Sequence, residues 1–405
     1  MKNWILNLTK YSIGCAVLMC NAFISHAQPS DTDQALRNMI AELERNNTSL
    51  HALENSITAE KMSNRIGLNP EDPEIGINYL KPNPRLADHR LDYSITQELE
   101  FPTVYSWRRK IVGGLDKVLD HQYQVQRSQL ISQILQTWLD WVYHQEIDNV
   151  LENQHSHAQQ LVDAYQRSFQ AGSISILERN KARIHAVNVQ KSLELNRIEL
   201  TAASNQLLRL NGGQPLVALP AAYPSWTLPA SLQDWLQEAS GQQAGLQLLS
   251  AELEVHQQEQ SLAGAMQLPN LSIGYMREQD IEVDFRGLTL GMSVPLWHNR
   301  NRTRHSRLQQ QAQESLIIDA QQQFELELQH QYQKAHALAQ QIDELRSILE
   351  DSREPTLLRQ ALDLGQINLV DYLMELSMYY DLQEKQLQAE REYYLVQADM
   401  RKWLY

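Results

Sequence analysis

Few side chains in this sequence could carry chemistry, and their spacing argues against most of it. There are 13 histidines among 405 residues, yet His155 and His157 stand two apart, which on a helix sends them to different sides. His298 and His305 are isolated in an arginine-containing stretch. No His-Glu-x-x-His, cysteine cluster or acidic Ca²⁺ loop occurs, so neither a metal site nor a cofactor is expected. Gly172-Ser-Ile-Ser-Ile lacks the closing glycine of a nucleophile elbow, and there is no P-loop. Both cysteines, Cys15 and Cys20, fall in the first 27 residues. No polar cluster is left to converge on a pocket, and an enzyme is the least supported class.

What remains is a stretch that the chain carries twice. Residues 165–178 and 358–371 superpose with Gly172 on Gly365, Ile174 on Ile367, Leu177 on Val370 and Glu178 on Asp371. A glycine followed by Ser-Ile-Ser or Gln-Ile-Asn reads as a helix C-cap and the next N-cap back to back. Each copy lies between two long helical patterns and is expected to be the tip of a helical hairpin.

The first 27 residues read as a secretory signal. Lys2 and Lys10 flank the start of an apolar run, and Ser25-His-Ala27 offers a small-x-small cleavage site. The run is too short to span a bilayer. Cleavage would leave no cysteine, and loss of the two lysines would take the formal charge from −14 to −16. Such an acidic chain is a poor partner for nucleic acid.

Residues 31–66 read as one helix through Leu36, Met39, Ile40 and Leu43. After Pro70 and Pro73 the period changes to two. Ile75, Ile77 and Tyr79 alternate with polar residues, and so do Leu91, Tyr93, Ile95 and Leu99. Together they predict an antiparallel hairpin closed by Pro102, with one apolar and one wet face. A helix from about Trp107 to Ala171 would be about 95 Å long, and 174–210 forms its return. After the Pro/Gly linker 212–231 the plan repeats. A helix over 232–266 leads to strands with Leu271, Ile273 and Tyr275, then Leu288, Leu290 and Met292, ending at Pro295. A long helix over 299–363, the Gly365 tip and a return helix over 368–403 follow. The expected divisions are therefore the signal (1–27), a first repeat (28–211), the linker (212–231) and a second repeat (232–405). The unit in each repeat is helix, β-hairpin, long helix, tip and return helix.

Four strands cannot close a barrel, which needs about eight. They must pack on something or join strands of other chains, and three chains would supply twelve. With a signal peptide, alternating strands of this length suggest an outer-membrane barrel. The wet face would then line its lumen with Asp92, Glu98 and Glu100, favouring cations or holding water. Tyr105, Trp107 and Trp297, beside Arg108, Arg109 and Lys110 and Arg300, Arg302, Arg304 and Arg307, fit an interfacial belt at the junctions between strands and helices.

The ordered set of duplicated motifs resembles the TolC-type outer-membrane factor family. It comprises Pro-x-[Ile/Leu]-x-Ile-x-Tyr strand starts, strand-ending prolines and Gly-x-Ile-x-[Ile/Leu]-[Leu/Val]-[Glu/Asp] tips. The resemblance covers nearly the whole chain after the signal. It implies a mainly α protein with membrane β-hairpins, a homotrimer with a twelve-stranded β-barrel in outer-membrane lipid and a long periplasmic α-helical barrel. It also implies a periplasmic adaptor (membrane fusion) protein and an inner-membrane pump, of the RND type, as partners. The adaptor-docking turns fall on Ala171, Gly172 and Ser173 and on Leu364, Gly365 and Gln366. Of the two acids that ring the periplasmic aperture in well-known members, the first falls on Asp371, with Glu178 as its counterpart in the first repeat. The second falls on Met374, beside Glu375. The family's gate-tying Tyr and Arg fall on Leu362 and Ile367, so closure here would rest on packing. The resemblance implies a passive exit duct for small solutes such as metal cations or drugs. Its compact length, short loops and acidic strand face lie nearer the metal-efflux branch than the type I secretion branch. A soluble periplasmic coiled-coil scaffold without a pore is the alternative of another class.

Overall fold

A computed structural model describes residues 31–81, 89–279, 283–297, 301–351 and 355–405. The expected signal peptide, most of both hairpin turns, His298 and Arg300 lie outside these residues. The chain runs α1 (Asp31–Asn46), α2 (Thr48–Ser63), β1 (Glu74–Leu80), β2 (Arg90–Leu99), α3 (Pro102–Gln170) and α4 (Ile176–Leu210). It continues through α5 (Leu232–Gln242), α6 (Ala244–Ala265), β3 (Asn270–Gln279), β4 (Asp284–Ser293), α7 (Arg302–Asp351), α8 (Pro355–Asp363) and α9 (Leu369–Arg401), closing on a short 3₁₀ turn at Lys402–Leu404.

The four strands form one antiparallel sheet in the order β1-β2-β3-β4. Register sorts its side chains onto two faces. Ile75, Ile95, Tyr275 and Leu288 make one cross-strand row, and Ile77, Tyr93, Arg277 and Arg286 make the next. Glycines and short polar residues hold the opposite face, where Gly76 stands against Ser94 and Gly274 against Thr96 and Thr289. The large apolar side chains of the first face, from Ile75 to Met292, are exposed.

α3 is 69 residues long, or about 100 Å at 1.5 Å per residue. It begins at Pro102, earlier than the sequence pattern indicated. Proline there does not end the strand so much as start the helix, since its missing N–H falls where helical donors are unpaired anyway. No described helix is long and apolar enough to cross a membrane.

The single helix expected over 31–66 is two. Asn47 breaks it, accepting from Leu50 N at 2.9 Å as the N-cap of α2 while its Nδ2 donates to Leu210 O at the end of α4. The break lets the two halves do different work. α1 lays Leu36, Met39, Ile40 and Leu43 on α3 (Ile131, Ile134, Leu135, Trp138, Leu139 and Val142), together with Leu207 and Leu210 of α4. α2 continues along α3 toward the sheet, pairing Lys61 with Asp120 and Arg65 with Asp116.

The helix expected over 232–266 breaks in the same way at Gln243, which accepts from Leu246 N. Asn47 and Gln243 are 196 residues apart, as are Pro73 and Pro269. α5 packs Trp235, Leu236 and Ala239 against Leu328, Leu338, Val396 and Met400, while α6 goes on to the sheet. Of the helix expected over 299–363, residues 302–351 and 355–363 are helical and 352–354 lie outside the described residues.

Asn47→Ala removes a cap and leaves the Leu210 carbonyl without its donor. It should cost about 1–2 kcal/mol, read as a lower unfolding midpoint in denaturant, with the exposed Ser49→Ala near neutral.

Candidate functional site: the paired tips and the polar sheet face

Both tips are built by one local recipe. At the first, Gly172 takes φ +71°. Its N–H donates to Phe169 O at 3.0 Å and that of Ser173 to Ser168 O at 2.9 Å, a Schellman closure. Ser175 then caps α4: its Oγ accepts from Glu178 N at 3.2 Å, while Glu178 Oε2 accepts from Ser175 N at 2.8 Å. At the second, Gly365 takes φ +68°, and Gly365 N and Gln366 N donate to Leu362 O and Ala361 O. Asn368 caps α9, accepting from Val370 N at 2.8 Å and Asp371 N at 3.0 Å, with Nδ2 donating to Asp371 Oδ2 at 2.6 Å. Glu178 and Asp371 thus occupy the same cap position, where an acid also meets the positive end of the helix dipole. A positive φ explains why both turns need glycine.

Beneath the tips one core ties the two hairpins together. Leu161 of α3 and Ala182 of α4 pack with Leu358, Leu369, Tyr372, Leu376 and Tyr380 of α8 and α9, and Leu362 and Ile367 lie against them. Burial raises the Tyr372 and Tyr380 phenols above their ordinary pKa, so both stay neutral. His157 is used here structurally, its Nδ1 lying 2.9 Å from Tyr380 Oη.

On one side of α8 and α9 lies a groove of about 870 Å³, lined by Leu357, Leu364, Gln366, Ile367, Met378 and Tyr379, with Asp371 and Glu375 on its wall. The structure therefore brings Asp371, Glu375, Leu364 and Gln366 together, with Gly365 in the turn between Leu364 and Gln366. Ala171, Gly172, Ser173 and Glu178 sit on the other hairpin and take no part in that groove. Leu364 is exposed, as are Ile176 and Leu177 beside the first tip.

The Glu178 carboxylate accepts from the Ser175 backbone N–H first and from its hydroxyl second, and these bonds hold the carboxyl below its usual pKa. A carboxyl lowered on folding stabilises the fold above its ordinary range, and that contribution fades as pH falls through the lowered value. Glu178→Gln should therefore unfold more readily than the parent at neutral pH, with the gap closing in acid. Denaturant titrations at a series of pH values read this directly.

The polar sheet face differs in part from the sequence reading. Asp92 is only 9% exposed, and Arg90 on the same face bonds it through Nε at 2.8 Å while reaching Glu278 on β3 at 2.7 Å. The sequence alone does not reveal Arg90 and Glu278 on this wall, because their meeting depends on the β2–β3 register, where Asp92 stands opposite Glu278. The row is thus an acid-rich wall with one cation clamped into it. Glu98 lies on this face and is exposed. Glu100 does not join the row: β2 stops at Leu99, and Glu100 pairs with Arg108 of α3 at 2.8 Å. It braces the junction between sheet and helix, where Lys110 lies 4.1 Å over the Trp107 ring and Trp297 stands exposed.

An open four-stranded sheet with a bare apolar face is set on long helices, the longest about 100 Å, that end in two matched tips, the chain architecture implied by the resemblance above. The comparisons return the same class. Residues 88–213 match the family model described as outer membrane efflux protein. The search of curated proteins finds no match. Among solved structures, a membrane protein from Pseudomonas aeruginosa matches at a TM-score of 0.77 and 14% identity, covering 92% of this chain and 93% of that one. The Campylobacter jejuni CmeC outer membrane channel matches at 0.75 and 15%, covering 99% and 93%. The Vibrio cholerae outer membrane protein VceC matches at 0.73 and 12%, covering 93% and 99%. Fold and family match together return the family that the duplicated motifs resemble, the TolC-type outer membrane efflux proteins.

Proposed function

We propose that three copies of this chain form an outer-membrane exit duct that passively conducts small solutes out of the cell. The observation that carries this reading is the sheet. Its large apolar side chains lie bare on one face across all four strands, and among the described residues neither β1 nor β4 has a partner on its outer edge. Water would penalise both features, whereas lipid and neighbouring strands would satisfy them. Three chains close twelve strands, leaving a lumen lined by Asp92, Glu98, Glu278 and Arg90. The helices then continue the passage through the periplasm.

In this reading the tips face inward from the outer membrane and meet a periplasmic adaptor fed by an inner-membrane pump of the RND type. Ala171, Gly172 and Ser173, with Leu364, Gly365 and Gln366, are the docking turns, because a glycine lets a partner approach the backbone closely. Asp371 and Glu375, with Glu178 on the other hairpin, make an acidic aperture that admits metal cations or cationic drugs more readily than anions. Leu362 and Ile367 sit in the apolar core under the tips, so the aperture closes by packing rather than by a polar lock. A protein-secretion duct is disfavoured by the short hairpin turns, and a soluble scaffold by the bare sheet.

Conductance across planar bilayers tests this. The parent should form channels that prefer cations, and Asp371→Asn with Glu375→Gln should lower that preference severalfold while channels still form. Parent channels with no preference for cations, or with a preference that the double variant leaves unchanged, would contradict the acidic aperture, and purified protein that never inserts would contradict the duct.

A further inference from the structure

Where the sheet meets the helices, its two open edges carry opposite charge. The segment leading into β1 presents Glu71 and Asp72, with Glu74 as the first residue of the strand, all exposed. Past β4, the first turns of α7 present Arg302, Arg304 and Arg307. No acid occurs on α7 before Glu314, and none between Glu259 and Glu278 on the neighbouring α6–β3 segment. Arg65, six residues before Glu71, is already held by Asp116. Among the described residues no ion pair engages Glu71, Asp72, Glu74, Arg304 or Arg307.

Both charged groups stand at the same height. Gln97 Nε2 donates to Glu71 O, which places the acidic leader beside the last rungs of β2. Gln267 Nε2 donates to Thr303 Oγ1 at 2.9 Å, which places the start of α7 just beneath the sheet, three residues before β3. Strand directions alternate across the sheet, so the next strand to pair with β4 must run antiparallel to it, as β1 does. A second copy that adds its β1 to this β4 therefore brings its acidic leader to the basic end of α7.

We propose that these groups form an electrostatic seam between copies of the chain: Glu71, Asp72 and Glu74 of one copy against Arg304 and Arg307, with Arg302 beside them, of the next. This rests on the duct reading and names the contact that selects and registers its assembly. The chain carries a formal charge of −14, so identical copies repel in general. A local acid-to-base match on opposite edges offsets that repulsion only for head-to-tail association, the geometry that closes a ring. It also opposes a strand slipped by one or two residues, and steers encounter more than it adds affinity.

Charge swapping of the full-length protein tests the seam. Glu71→Lys with Asp72→Lys, and separately Arg304→Glu with Arg307→Glu, should each lower the trimer fraction in detergent severalfold at low salt. The quadruple variant should recover most of it. High salt should blunt all these differences, since at 1 M the screening length is about 3 Å. As a check independent of folding yield, Asp72→Cys with Arg304→Cys should give bismaleimide-linked trimers, and neither single variant should. A parent that stays monomeric would overturn the duct and the seam together. A trimeric parent whose quadruple variant is no better than the two pairs, and whose double-cysteine form does not cross-link between chains, would overturn the seam alone.

Discussion

Leu288→Arg should abolish stable insertion, while Gly287→Arg, one residue away, should leave it intact. Leu288 lies mid-strand in the row with Ile75, Ile95 and Tyr275 and is 78% exposed. Arginine on the lipid face near the middle of a barrel costs about 2–4 kcal/mol. In a trimer the cost would be incurred three times, once per chain. Gly287 points to the opposite face, and a Cβ there meets nothing within 4 Å, so a long cation can extend into a water-filled lumen. If the sheet belonged to a soluble scaffold the effects would reverse: replacing an exposed leucine by arginine would be harmless or would improve solubility. The fraction of each variant that sediments with outer membranes after carbonate washing distinguishes the two.

The second large effect is expected far from the membrane. Trp138 is fully buried at the centre of the core formed by α1, α3 and α4, and its Nε1 donates to Pro220 O at 2.8 Å. It therefore does two jobs, filling the middle of that core and pinning the 212–231 linker across the bundle. Trp138→Ala leaves a large cavity and should cost about 3–5 kcal/mol. Trp138→Phe keeps most of the volume and loses only the bond to the linker, for about 1–2 kcal/mol. Unfolding in denaturant should rank them in that order. Limited proteolysis should cut the linker of Trp138→Phe faster than that of the parent, even where global stability differs little.

Much of the architecture is legible in the sequence because its signals are local. Alternation of period two fixes the strands, and a glycine that must take positive φ, followed by Ser-x-Ser or Gln-Ile-Asn, fixes each tip. The same local rule that identifies the tips explains Glu178 and Asp371 as capping acids. The aperture proposed for them would belong to the assembly, and no single chain contains it.

The features that escape the sequence depend on tertiary partners. Asn47 breaks a helix whose apolar spacing continues through it, since Leu43 and Leu50 are one heptad apart. Bonds across the junction, from Asn47 to the Leu210 carbonyl and from Asn46 to Asn211, stabilise the break. Gln243 hides the second break in the same way, because glutamine is at home inside a helix. Arg90 looks like one more exposed strand residue until the β2–β3 register places it between Asp92 and Glu278. Glu100 continues the alternation on paper, yet Pro102 starts the helix and draws Glu100 to Arg108.

The central claim is that these four strands are a fraction of a membrane barrel, and its most direct test is the partition and mass of the protein from isolated envelopes. The account predicts a species that fractionates with the outer membrane, requires detergent and has the mass of three chains. A monomer or dimer that is freely soluble without detergent would contradict it.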